Sequence, residues 1–217
     1  MDIKYFGHAA FYIKTKNTRI VMDPFDPYIG LKFPKTEADI VTVSHNHKDH
    51  NNVAAITGNP LVIDMPGEFE KGGVRITGYL SYHDKEKGAQ RGEDILYKLE
   101  TEEGITVLHC GDLGIVPEES FLESIDDIDI LFVPVGGFYT IDAVEAEQLI
   151  KKIEPSIVIP MHYGSPQLKP DLGNKLAPVA DFLKKFGAEA VKPVPKLTVK
   201  KEEMEQEMKV VPMEISS

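Results

Sequence analysis

The stretch Ser44-His45-Asn46-His47-Lys48-Asp49-His50-Asn51-Asn52, SHNHKDHNN over positions 44–52, decides how the rest of the chain reads. The chain has 217 residues and seven histidines, and three of those, with one aspartate, fall within positions 45–50. The residues just before them, Val41-Thr42-Val43-Ser44, have the pattern of a buried strand. A loop held at a strand end stands on a rigid base, which a metal site needs. Imidazole and carboxylate are borderline ligands suited to zinc and acceptable to iron or manganese. His45 and His47 could converge on one ion, with Asp49 and His50 facing a second. A solvated polar loop is the alternative; the density of the cluster and the apolar strand before it favour metal.

Ligands from one loop do not close two coordination spheres, so more donors are expected at other strand ends. His83 ends the apolar run VRITGYLSYHD, and His162 ends SIVIPMH. Asp112 follows GITVLHC in His109-Cys110-Gly111-Asp112. Taken singly, a strand-end histidine is more often structural than a ligand. Together with the 45–50 cluster, these placements make chance a poor explanation.

Outward from the loop, strands dominate the first half: 2–6, 9–15, 18–22, 39–44, 61–64, 74–82, 95–100 and 104–109. Residues 7–23 read as a hairpin turning at Lys16-Asn17. Later the pattern changes to a strand at 128–135, a helix at 143–153, a strand at 156–161 and a helix at about 178–186. Short strands at 190–194, 196–200 and 208–211 are expected to finish the chain. No linker or repeat divides it, so residues 1–217 read as one α+β domain, two sheets face to face with helices outside.

Composition narrows the classes. Lys+Arg number 24 against 35 Asp+Glu, a formal charge of −11 that disfavours polynucleotide partners. The most apolar stretch, IDILFVPVGGF (128–138), is too short to span a bilayer, and the N-terminus carries charges through any would-be signal segment. No membrane association is expected. Cys110 is the single cysteine, so no intrachain disulfide forms, which fits a cytoplasmic location. There is no G-x-S-x-G elbow for serine catalysis and no G-x-x-x-x-G-K-[ST] phosphate loop.

HxHxDH after a strand, a later His83, Gly111-Asp112 after another strand and His162 after a further one resemble the metallo-β-lactamase superfamily. Phe6-Gly7-His8-Ala9-Ala10-Phe11, Met22-Asp23-Pro24, His109-Cys110-Gly111-Asp112 and Pro160-Met161-His162-Tyr163 are similar to its compact branch of ascorbate-6-phosphate lactonase-like proteins. The resemblance implies a four-layer αββα sandwich with two divalent ions, zinc first and manganese or iron next, at one edge of the sheets. It implies His45, His47 and His83 on one ion, Asp49, His50 and His162 on the other, and Asp112 between them. Asp23 would orient a ligand histidine, or form a turn before Pro24.

Two such ions about 3.5–4 Å apart can share a water and make hydroxide near neutral pH. The centre would keep about one positive charge and attract an anionic substrate. The expected reaction is hydrolysis of a small anionic ester, lactone or phosphate ester by that bridging hydroxide, with Asp49 holding the nucleophile and shuttling its proton. Alternatives are a phosphodiesterase on a small molecule and an iron-dependent oxidoreductase on the same ligands. His8 is either a proton relay over the site or a tight-turn residue after Gly7. His109 is expected to pack or hydrogen-bond beneath the metals, and Cys110 to fill space as a small apolar residue. Tyr139 and Tyr163 are candidate substrate contacts. The polar segment 83–94 is either a flap whose Lys85, Lys87 or Arg91 meets an anion or a solvated loop. Oligomeric state is not legible.

Overall fold

Alternation in the first strands sorts side chains to two faces. Ile3, Tyr5, Phe11, Ile13, Ile20 and Met22 face one core, while Phe6, Ala10 and Val21 between them face another. The computed structural model describes residues 1–204 and 207–216. In chain order the strands are β1 (Asp2–Gly7), β2 (Ala10–Lys14), β3 (Arg19–Met22), β4 (Thr36–Glu37), β5 (Ile40–Thr42), β6 (Ile56–Thr57), β7 (Leu61–Ile63) and β8 (Gly67–Lys71). They continue as β9 (Val74–Tyr82), β10 (Glu93–Glu100), β11 (Thr106–His109), β12 (Ile130–Pro134), β13 (Ile157–Met161), β14 (Leu197–Thr198) and β15 (Lys209–Val210). The helices are α1 (Glu119–Ile125), α2 (Ala143–Ile153), α3 (Pro170–Gly173) and α4 (Val179–Lys185).

Two mixed sheets result, one ordered β14-β1-β2-β3-β5-β7 and one ordered β15-β13-β12-β11-β10-β9-β8, with β4 and β6 paired separately. The hairpin expected at Lys16-Asn17 is present, with Lys14 opposite Arg19. β12 is buried along its whole length, as a central parallel strand covered on both faces must be. Phe11 of the first sheet stacks on Phe132 of the second at 4.1 Å between ring centroids, joining the sheets through one core.

Helices α2 and α4 pack on the outside of the second sheet at β12 and β13, and α1 packs beside α2. α2 starts with a capping box: the Asp142 carboxylate accepts from the Val144 and Glu145 N–H groups, and the Asp142 N–H donates to Glu145. Its Ala143, Ala146, Leu149 and Ile150 are buried, at the spacing that predicts the helix. The outer face of the first sheet is covered more thinly. Phe25, Ile29, Leu31, Phe33, Leu168 and Leu176 close it from loops and a 3-10 turn (Pro27–Ile29), with the partly buried Leu172 of the four-residue α3 packed against them.

The expected strand at 190–194 is not formed; only Val194 bridges to Met213. Pro193 and Pro195 lack the N–H groups a ladder requires. β8, an edge strand of sequence GEFEK with polar, half-exposed faces, has no periodic apolar signal and was not expected. Among the described residues, no helix is long and apolar enough to cross a membrane.

Candidate metal centre

Three strands end on a residue with positive φ just where the site begins: His8 after β1 (φ 58°), Asp23 after β3 (φ 46°) and His162 after β13 (φ 52°). Non-glycine residues pay roughly 1–3 kcal/mol for such backbone, and it concentrates at functional sites. These turns bring side chains from both sheets to one place. The His162 N–H donates to the His8 carbonyl at 2.7 Å, tying the two ends together.

Asp112 sits at the centre, 2 % exposed. Its Oδ1 lies 3.3 Å from His50 Nε2 and 3.2 Å from His162 Nε2. Its Oδ2 lies 3.3 Å from His83 Nε2 and 4.0 Å from His45 Nε2. One carboxylate therefore faces two histidine groups, one with each oxygen. On the Oδ2 side, His45, His47 and His83 offer nitrogens within 4.8 Å of one another. On the Oδ1 side, His8, His50 and His162 do the same. Asp49 borders the second group, 3.2 Å from His8 Nε2 and 3.9 Å from His50 Nε2. Every residue singled out in the sequence as a metal donor is in this assembly. His8, left between two roles there, has the tight turn after Gly7, and its imidazole sits in the same assembly against Asp49.

The hydrogen-bond network assigns the tautomers. Ser44 N–H and Oγ–H donate to Asp23 at 2.8 and 2.6 Å, and His50 Nδ1–H donates to the same carboxylate at 2.8 Å. With its proton used on Asp23, Ser44 Oγ accepts from His45 Nδ1–H at 3.0 Å. The lone pairs of His45 and His50 are thereby left on Nε2, toward Asp112. His45 Nε2, His50 Nε2 and Asp112 Oδ1 are buried with no hydrogen-bond partner among the described residues. Orphaned acceptors that converge in this way fit divalent cations.

Charges inside the site push in opposite directions. Burial raises the Asp112 carboxyl, but His162 and His50 beside it outweigh that and hold it well below the usual range. Asp23 is likewise lowered, burial being outweighed by the His50 hydrogen bond and the neighbouring imidazoles. His8 is brought down to about 4 by burial and by His162, against the pull of Asp49.

Asp94 was not anticipated. It is fully buried, accepts the Asp112 N–H at 3.0 Å and lies 3.4 Å from His45 Nδ1. Burial, with the Asp112 and Asp23 charges, pushes its carboxyl well above the usual range. Its place in the regular strand EDILYKLE gave no signal. His109 is in none of the histidine groups; it donates from Nε2 to the Ala9 carbonyl at 2.8 Å and accepts the Gly111 N–H on Nδ1 at 3.2 Å. Cys110 is buried in the core, its thiol raised by burial. Tyr163 packs near Tyr5 and does not line the cavity, whereas Tyr139 does.

The histidine groups open into a cavity of about 1020 Å³ whose lining includes His47, Asp49, His83, Asp112 and His162, and also Tyr28, Lys48, Arg91, Tyr139, Lys169 and Lys175. The 83–94 segment is folded around Asp84, whose carboxylate accepts the N–H groups of Glu86, Gly88, Gln90 and Arg91 at 2.7–3.0 Å. Of its three cations, Arg91 lines the cavity, Lys85 pairs with Glu145 and Lys87 is exposed.

A profile of the beta-lactamase superfamily domain matches residues 2–162. The chain belongs to the metallo-β-lactamase superfamily. A Thermotoga maritima structure, assigned as a Zn-dependent hydrolase of that superfamily, is 40% identical, aligns over 98% of this chain and 97% of its own, and has a TM-score of 0.80. A UPF0173 metal-dependent hydrolase of Carboxydothermus hydrogenoformans is 28% identical over 80% of this chain and 89% of its own length. The metallo hydrolase Igni18 of Ignicoccus hospitalis shares the fold at 22% identity, with a TM-score of 0.64 over 92% of this chain and 99% of its own. The two mixed sheets, the flanking helices and the histidine-rich group between the sheets are those of the metallo-β-lactamase fold, and the chain is one of the superfamily's metal-dependent hydrolases.

Proposed function

We propose that the protein hydrolyses a small anionic ester, a lactone or phosphate ester included, at a centre of two divalent ions, zinc in the first instance. The observation that carries this is Asp112, whose two oxygens face two separate histidine groups. His45, His47 and His83 would hold one ion, and Asp49, His50 and His162 the other, with Asp112 shared. When bound, the ions supply Lewis acidity, activating water and polarising the substrate's carbonyl or phosphoryl oxygen.

The chain's own residues do the rest. Asp23 and Ser44 fix the imidazoles of His50 and His45 so that no reorganisation is needed when ions and substrate arrive. Asp49 lines the cavity beside the second group and takes the proton that water loses as its oxygen bonds to the acyl carbon or phosphorus. The same carboxyl returns that proton to the departing oxygen. His8 donates from Nε2 to Asp49, and its Nδ1 is buried with no partner among the described residues. His8 therefore steadies the Asp49 carboxylate and passes no proton to solvent.

Turnover of p-nitrophenyl esters, lactones and phosphodiesters by the zinc-loaded protein tests this. Assayed with zinc in saturating excess, Asp49→Asn is expected to lose on the order of 10²–10⁴-fold in kcat. A fully loaded wild-type protein inert across the panel would refute the hydrolase assignment to this substrate class; preference for diesters alone would replace esters and lactones with phosphodiesters.

A further inference from the structure

Four cations line the cavity of this acidic chain, beside the carboxylates of Asp26 and Asp171. Lys48, Arg91, Lys169 and Lys175 all face the space that the histidine groups open into. None has a carboxylate within ion-pair distance among the described residues, while Lys85 on the same loop as Arg91 is tied to Glu145. Two of the four meet at one aromatic ring. Lys175 Nζ donates to the Tyr139 hydroxyl at 3.1 Å, and the Arg91 guanidinium carbon lies 5.7 Å from the centroid of the same ring. The Lys175 ammonium is also 5.3 Å from the Phe138 ring, which stands edge-on to Tyr139.

This cluster is built from three separate segments, each held in place. Arg91 is anchored by its own N–H on the buried Asp84 carboxylate at 2.7 Å. Tyr139 follows a turn in which its N–H donates to the Gly137 carbonyl at 2.7 Å. The segment bearing Lys169 docks on the 3-10 turn, with the Lys169 N–H donating to Ile29 at 2.8 Å, and a Cβ on the adjoining Gly30 (φ 103°) would come within 2.7 Å of Lys169 N. Cations gathered on aromatic faces without acidic partners repel one another until an anion joins them. Guanidinium and ammonium together match an oxygen-rich anion, the guanidinium in two-pronged fashion.

We propose that Arg91 and Lys175, set around Tyr139, seat a second anionic group of the substrate, a phosphate or carboxylate at the end remote from the bond that is cut. The substrate is then an ester with two functional ends, one reacting at the histidine groups and one charged. The inference rests on the hydrolase assignment only for the identity of the reacting end.

The test uses three p-nitrophenyl acyl esters whose remote ends carry a carboxylate, a phosphonate or an uncharged amide, with the zinc-loaded full chain. The wild-type protein is expected to favour a charged ester over the amide in kcat/KM. Arg91→Met and Lys175→Met should each lower that ratio on the order of tenfold, through KM, with Arg91→Lys restoring part of it. Lys87→Met, on the same loop and exposed, should leave the ratio as it is. Calorimetric titration with phenylphosphonate reads the seat without turnover, and both Met variants should weaken binding by a similar factor. Whichever charged ester loses more in Arg91→Met names the end group. Esters turned over with a ratio and an affinity indifferent to Arg91 and Lys175 would overturn the seat and leave hydrolysis standing. Weakened phosphonate binding with no ester turned over would support the seat and remove the hydrolase assignment instead.

Discussion

The Asp23 carboxylate and the His50 imidazole, both fully buried, are joined by a 2.8 Å hydrogen bond that leaves His50 Nε2 aimed at Asp112. The same carboxylate orders Ser44 and, through it, His45, so one residue outside the donor set orients a histidine on each side of Asp112. Asp23→Asn replaces one acceptor oxygen with an amide donor. Zinc affinity, read by competition with a chromophoric chelator, should fall about 10–100-fold. An unchanged affinity would show that the carboxylate only shapes the turn before Pro24.

Gly111 leaves no room for a side chain. A Cβ there would sit 2.5 Å from Asp94 Oδ1 and 2.6 Å from Ser44 Cβ, at a φ of +49°. Gly111→Ala should destabilise the fold by about 1–3 kcal/mol in urea denaturation. It should also weaken metal binding, because the displaced atoms support His45 and Asp112. A variant as stable as the wild type would contradict the packing.

Asp84 determines whether the 83–94 segment is a flap or a folded loop. Its carboxylate holds four backbone N–H groups, which Asp84→Ala would release together. Amide hydrogen exchange at Glu86, Gly88, Gln90 and Arg91 should speed up in the variant while β12 stays protected. Equal exchange in both proteins would mean that the loop is held by something else.

Arg19 grips Asp39 with two side-chain N–H groups at 2.8 and 2.9 Å, and this pairing lowers the Asp39 carboxyl to about 2 from an ordinary 3.8. A folded pKa below the unfolded one means stability that is present above the unfolded value and is lost as pH falls toward the folded one. Asp39→Asn should therefore cost up to about 1 kcal/mol at neutral pH, solvent screening a pair whose side chains are about one-third exposed. The gap from wild type should be smaller at pH about 3, where the unfolded wild-type carboxyl already binds a proton. A gap that widens on acidification would reverse the assignment.

The donors legible in the sequence are those at the ends of apolar runs. His45, His83, Asp112 and His162 each stand one to three residues past a strand, and strand ends meet at the rim of a sandwich. Asp94 was hidden because it stands at the start of β10, beside Glu93 and ahead of the apolar run, where an acidic residue facing the site reads like one facing solvent. Lys175 and Lys169 flank the four-residue α3 and Tyr28 is in the 3-10 turn, short pieces whose positions depend on long-range docking. β8 escaped for a different reason, since an edge strand with Phe69 as its one apolar contact to the core shows no apolar spacing. The tautomers of His45 and His50 follow only from three-dimensional contacts with Asp23 and Ser44.

The central claim is that Asp112 joins two ion sites into one centre. Elemental analysis after equilibrium dialysis against zinc, on the wild type and on Asp112→Ala, addresses it directly. The wild type should hold about two equivalents per chain and the variant about one or fewer, with folding of the variant verified by circular dichroism. A wild-type protein that binds less than about one equivalent, or a folded variant that keeps both, would contradict it.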